Sequence, residues 1–294
     1  MPTAGCDGGA GGIDWPGGPG GPGGTGGTGG WDGGTVMVAE GRTKPVRSGA
    51  KPRGYSERVA DQTTQPQVLL VTRYPVKSMG GETLTSVEVG PTGLVGDRAW
   101  AVYAADGKLA SGKHSRRFRR MDPVFELVAA QRAADTVVTL PDGSEVTLGR
   151  DGADATVSRH FGQPVTVRQE GEVPHQDAAT FSLVGSATLA ELGRHEGDGR
   201  PLDPRHLRAN LVVTTTEPYA EESWIGREVT IGTVRLRVTE AIERCRMVGV
   251  AQVDLAERPG MLKAISDHHD LNAGIYASVL QPGTITVGDS VHVD

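Results

Sequence analysis

The residues with the greatest chemical potential gather around one thiol. Cys245 stands in Glu243-Arg244-Cys245-Arg246-Met247, where a well-patterned strand stops, and the only other cysteine, Cys6, lies in a glycine-rich leader. A free cysteine commonly packs as a small hydrophobe. Two flanking arginines are poor company for an apolar core, and nearby positive charge favours the thiolate, the form that binds metal or attacks an electrophile. Both readings stay open, because in a regular strand the two arginines point away from the thiol, so their help requires a bend after Val238. Two other stretches invite an anion. Tyr74-Pro75-Val76-Lys77-Ser78 sets an ammonium and a hydroxyl after a strand, and Arg205-His206-Leu207-Arg208-Ala209-Asn210 sets guanidinium forks and an amide before one. The basic run from Lys113 to Arg120 reads either as a solvated loop or as a further anion site. His268 and His269 end a short helix, where positive charge suits the negative pole better than it suggests a metal site.

Other chemistries lack their signatures. The sequence has no Gly-x-Gly-x-x-Gly between strand and helix, no Walker A lysine, no Gly-x-Ser-x-Gly and no Cys/His zinc spacing. A formal charge of −6 argues against nucleic-acid binding as the main task. No apolar run approaches the roughly 20 residues of a membrane helix, and no basic-then-apolar signal opens the chain. A cytoplasmic protein without membrane contact is expected.

The elements that must position these groups are mostly strands. Many of the 43 glycines fall between Gly8 and Gly34, a stretch that cannot offset backbone ordering entropy of roughly 1–2 kcal/mol per residue. Residues 1–65 are therefore expected to form a disordered Gly/Pro-rich leader, with Met37 as an alternative start. Residues 66–170 read as a β-barrel-like domain, with hairpin turns at Asp106-Gly107 and Asp142-Gly143. Residues 171–294 read as a second β-barrel domain with short helices, giving a mainly β fold with some α. In that half, Phe181 to Leu192 looks partly helical with Gly193 as its stop. Val229–Ile231 and Val234–Val238 form a hairpin, Pro259 opens a helix, and Thr284–Val287 with Ser290–Val293 is expected to close as another hairpin.

Taken together, Arg73-Tyr74-Pro75-Val76-Lys77-Ser78, Gly96-Asp97-Arg98-Ala99-Trp100, Leu207-Arg208-Ala209-Asn210-Leu211-Val212-Val213, Glu243-Arg244-Cys245 and the run Gln281 to Asp289 resemble, in order and spacing, the MOSC proteins. The resemblance spans Pro66 to Asp294. It implies an N-terminal MOSC β-barrel domain followed by a MOSC domain, with the molybdenum cofactor (molybdenum-molybdopterin) bound between them. By the same resemblance Cys245 is the catalytic residue and the metal ligand. Lys77, Ser78, Arg98, Arg208 and Asn210 hold the pterin and its phosphate, while Arg244, Tyr276 and Ser186 or Thr188 match more loosely. Soft thiolate ligation amid cationic and amide groups agrees with the residue-level reading.

The resemblance points toward the amidoxime-reducing enzymes, hence to an oxidoreductase acting on small N-hydroxylated or N-oxide substrates. No ferredoxin-type cysteine pattern is present, so electrons are expected from a separate ferredoxin-, flavin- or cytochrome-type protein. Two departures weaken the transfer of substrate: Ala209 stands where the family often has proline, and Met247 to Asp254 replaces a threonine-rich stretch. No lyase-like domain precedes the barrel, so the chain is not expected to be a whole cofactor sulfurase, and pyridoxal phosphate enters only as a family-level association. The alternatives are a sulfur carrier with a persulfide on Cys245, a cofactor carrier, and an anion-binding module with an inert thiol.

Overall fold

A computed structural model describes residues 65–172, 174–195 and 199–294. The leader expected over residues 1–65, with Cys6 and Met37, lies outside the described residues apart from Gln65. No helix among the described residues is long and apolar enough to cross a membrane.

The fold is mostly β with three α-helices among the described residues. The first half holds β1 (Val68–Arg73), β2 (Glu82–Leu84), β3 (Ser86–Gly90), β4 (Gly93–Leu94), β5 (Trp100–Ala104), β6 (Leu109–Ser111) and β7 (Phe118–Arg120). Next come β8 (Val128–Arg132), β9 (Asp135–Thr139), β10 (Glu145–Thr147), helix α1 (Ala153–Phe161) and β11 (Val165–Gln169). The second half adds β12 (Phe181–Gly185), α2 (Ser186–His195), β13 (Leu211–Val213), β14 (Glu228–Ile231) and β15 (Val234–Glu243). Helix α3 (Met261–His269), β16 (Asn272–Gln281), β17 (Gly283–Thr286) and β18 (Val291–Val293) complete it.

One large sheet runs β18-β14-β15-β16-β12-β13-β1-β2. The pairing therefore crosses the boundary placed at 170: β1 and β2 hydrogen-bond into a sheet otherwise made of later strands, and β3 pairs with β17. Strands β12 and β13 are parallel, joined through α2, and every residue in both is buried. Burial on two faces explains their unbroken apolar runs. Leu183, Leu211 and Val213 face one core with Phe181, Ile275 and Ile285, while Val184 and Val212 face another with Leu189, Leu192, Met261 and Ile265 from α2 and α3. A third core, around Val102, Val124, Phe125, Leu127, Val138 and Phe161, fills the first half.

Several local expectations hold. The hairpins form at Gly107 and Gly143, both with positive φ, and β14 meets β15 across Gly232. Others change. Thr284–Val287 and Ser290–Val293 do not close on each other, because residues 288 and 289 bond to Val68 instead; β17 goes to β3 and β18 to β14. The stretch Phe181–Leu192 is helical in part as expected, strand over Phe181–Gly185 and helix from Ser186, but Gly193 lies inside α2. A Cβ there would overlap the Arg200 carbonyl oxygen, so this glycine permits a close backbone approach rather than ending the helix. Helix α1 was not expected: its buried residues, Ala153, Val157 and Phe161, leave too short a stripe to stand out in sequence.

Candidate functional site

The strand leading to the thiol bends. Its pairing with β16 slips between Arg235 and Leu236, between Val238 and Glu240, and between Ala241 and Glu243. Such bulges re-aim the side chains that follow. Cys245 lies beyond the strand end in extended conformation (φ −125°, ψ −178°), just before the 3-10 turn Arg246–Gly249. It does not continue the face of Arg235 and Arg237, which pair with Glu228 on β14. Instead Cys245, half-buried, lines a cleft of about 440 Å³.

That cleft also gathers Lys77, Ser78, Arg98, Arg208, Asn210, Arg244 and Tyr276. Ser186 and Thr188 are not among its lining residues. Ser186 Oγ accepts from the Thr215 amide, and Thr188 Oγ1 donates to the Glu221 carboxylate, fully buried under the start of α2. Burial raises the Glu221 pKa against the opposing pull of the Gly185 amide and the Thr188 hydroxyl. These contacts organise the β12–α2 junction.

The loops of the cleft are tied together by its own arginines. Arg244 donates to the carbonyls of Ala273 and Leu207, the latter at 2.8 Å. Arg98 Nη2 donates to the Arg208 carbonyl at 3.0 Å while Nη1 pairs with Asp97. Arg208 Nη1 in turn donates to the carbonyl of Met79 at 2.7 Å. Both Arg98 and Arg208 lie over the Tyr74 ring, 4.7 and 4.3 Å from its centroid. Asn210 is similarly engaged: its Oδ1 accepts from Ser182, and its Nδ2 donates to the Thr72 carbonyl.

Ser78, Arg98 and Arg208 have φ of 68°, 51° and 52°. Left-handed backbone at residues other than glycine costs about 1–3 kcal/mol each and persists where the surroundings over-determine it, commonly at binding sites. Here Arg98 N donates to the Tyr74 carbonyl, Arg208 N to that of Arg205 and Ser78 Oγ to that of Ala110.

The electrostatics favour an anion. Burial lowers Lys77 to about 8, with the Asp177 carboxylate opposing the shift. Burial likewise lowers Arg208 and Arg244 to about 10 each. Burial also works against the charge of Arg98, but Asp97 overrides it and the pKa is raised. All four are predominantly cationic at neutral pH. Arg208 Nη2 is buried with no hydrogen-bond partner among the described residues, an unused donor in a cationic cleft. No group of three or more His, Cys, Asp or Glu among the described residues could hold a metal ion.

Comparison with known proteins decides the family. The MOSC N-terminal β-barrel domain matches residues 65–182 and the MOSC domain residues 158–292. This chain belongs to the MOSC family. Among curated proteins, the MOSC chain is 26% identical over 245 residues to the molybdenum cofactor sulfurase of Danio rerio, covering 66% of this chain and 29% of that protein. It is 23% identical to that of Homo sapiens, covering 89% of this chain and 36% of that protein. The chain thus spans about a third of the length of these relatives. Among solved structures, the YUAD protein from Bacillus subtilis aligns over 78% of this chain and 95% of its own at 17% identity and a TM-score of 0.45. YiiM from Geobacillus stearothermophilus aligns over 39% and 54% at 21% identity and 0.31.

Sequence reasoning missed three partners in this cleft, Tyr74, Asp97 and Asp177. Tyr74 is the aromatic floor beneath two arginines, and Asp97 both neutralises Arg98 and accepts from the Tyr74 amide at 2.8 Å; each sat inside a quoted motif without a role. Lys113 lines the cleft, whereas Arg119 and Arg120 of the same basic run pair at the surface with Asp106 and Asp122. Asp177, in the polar stretch read as a domain boundary, bonds Lys77 at 2.9 Å.

Proposed function

We propose that this chain binds the molybdenum cofactor in the cleft bounded by Lys77, Arg98, Arg208 and Cys245, and acts in the cytoplasm as an oxidoreductase on small N-hydroxylated or N-oxide substrates. The observation that carries the reading is the buried, unpartnered Nη2 of Arg208 beside two left-handed site residues and within the cleft that Cys245 lines. A phosphate-bearing, thiolate-seeking group fits that donor set. Lys77, Arg98 and Arg208 would hold its anionic end, Ser78 and Tyr276 would offer hydroxyls, and Cys245 would supply the protein's ligand to the metal. When bound, the cofactor supplies two-electron chemistry that removes oxygen from the substrate, with electrons from a separate ferredoxin-, flavin- or cytochrome-type protein. The chain's own task is positioning: Arg244 fixes the loop carrying Arg208, and the bulges in β15 present the thiol.

A second reading has its own support in the curated relatives, which are cofactor sulfurases. In it Cys245 carries sulfane sulfur for transfer, or the chain delivers the cofactor. Purification from a cofactor-competent host, with molybdenum analysis, pterin fluorescence and sulfane-sulfur assay, separates the two. Stoichiometric molybdenum lost in Cys245→Ala, with turnover of benzamidoxime by an artificial donor, supports the reductase. Sulfane sulfur on Cys245 without molybdenum supports transfer, and a fully loaded protein without turnover counts against reduction.

A further inference from the structure

We propose that Asp177 is an internal counter-anion of the cleft, a specificity-determining residue that an incoming anion must displace from Lys77 and Lys113, so that doubly charged phosphate groups enter and singly charged ones are rejected. The inference rests on the anion-binding part of the proposed function.

The geometry separates Asp177 from an ordinary structural ion pair. Lys77 Nζ donates to Asp177 Oδ1 at 2.9 Å and Lys113 Nζ lies 3.7 Å from Oδ2, so one carboxylate serves two ammonium groups. Both lysines also lie over the Phe118 ring, at 4.9 and 4.8 Å, which gathers them without neutralising either. The Lys77 side chain is 8% exposed, that of Lys113 31% and that of Asp177 46%, so Lys77 is built in and the carboxylate can rotate outward. Its backbone need not follow. Arg117 Nη2 holds the Gln176 carbonyl at 2.8 Å, and the His175 ring bridges the Arg98 carbonyl and the Tyr103 hydroxyl, each at 2.9 Å.

The charge balance then sets selectivity. Two lysines and one carboxylate leave one positive charge. A monoanion that replaces Asp177 makes no more Coulombic contact than the carboxylate it expels, whereas a dianion satisfies both lysines. Asp177 thus disfavours the wrong ligand by offering an intramolecular competitor.

Calorimetric titration of inorganic phosphate and pyrophosphate, and of dimethyl phosphate as the monoanion, into wild type and Asp177→Asn at pH 7, below the Lys77 pKa of about 8, tests this. Pyrophosphate is expected to bind the variant roughly three- to tenfold more tightly, and dimethyl phosphate to gain more than that, narrowing the preference for the multiply charged anion. Unchanged or weaker binding to Asp177→Asn, or an unchanged preference, overturns the inference and leaves the anion site standing. Absence of phosphate and pyrophosphate binding in both proteins overturns the anion site and the inference with it. Asp177→Ala, at a half-exposed position, serves as the second variant and is held to the same outcomes.

Discussion

Arg98 Nη2 donates to the backbone carbonyl of Arg208 at 3.0 Å, so one candidate anion-binding residue fixes the main chain of another, and both carry left-handed φ. Charge and backbone geometry are coupled here, and the first prediction follows from that coupling. Arg98→Gln leaves the Asp97 side chain, which has no exposed surface, without its cation. A loss of about 3–5 kcal/mol in urea unfolding is expected, the usual cost of breaking a buried pair from one side. Adding Asp97→Asn should restore part of it, because the stranded charge is then gone.

Lys77 gives a pH dependence with a defined sign. Its folded pKa, lowered to about 8 by burial, lies below that of an exposed lysine. Between about pH 8 and 10.5 the unfolded chain therefore holds more protons, and this group's contribution to stability rises with pH across that window. Anion binding moves oppositely, because the ammonium is the receptor. Pyrophosphate affinity should fall as pH rises through 8, and binding at pH 8–9 should take up protons, visible as a heat that varies with buffer ionisation enthalpy. A buffer-independent heat would count against Lys77 as a receptor.

Thr188→Val separates the α2 junction from the cleft. It removes the hydroxyl that donates to Glu221, with an expected loss of about 1–2 kcal/mol and unchanged pyrophosphate affinity. The folded pKa of Glu221 is already raised by burial, and losing a donor to the carboxylate raises it further. A raised carboxyl pKa gives the folded state an extra proton on acidification, so the deficit of the variant should shrink as pH falls.

Gly193→Ala tests why that glycine sits within α2. The Arg200 carbonyl oxygen occupies the space a Cβ needs, so a loss of roughly 3 kcal/mol or more is expected despite the better helix propensity of alanine. A stabilised variant would show that the 199–202 segment yields.

Local rules made the strands and turns legible. Val234, Leu236 and Val238 alternate with arginines, and Asp-Gly pairs mark two hairpins, because each rests on period-two burial or on positive φ at a single residue. The cleft was legible as a set of cations and a thiol, seven of whose companions to Cys245 line it. What could not be read was pairing between distant segments. Strand β17 has the same alternating pattern whether it pairs with β18 or with β3, and Asp177 is one carboxylate among 36 acidic residues until the fold brings it to Lys77. The slips in β15 leave no mark either, since Thr239 and Glu240 are ordinary exposed residues.

The weaving of early strands into late sheets has a consequence for biosynthesis. Val71 is made long before its partner Leu211, and Val87 before Ile285. Neither apolar strand can be buried while the ribosome is still translating the middle of the chain. The emerging N-terminal half must wait with its edges open, as expected of β topologies dominated by distant contacts. Loss of only the last dozen residues, which carry β17 and β18, would unseat a strand from the opposite end of the fold.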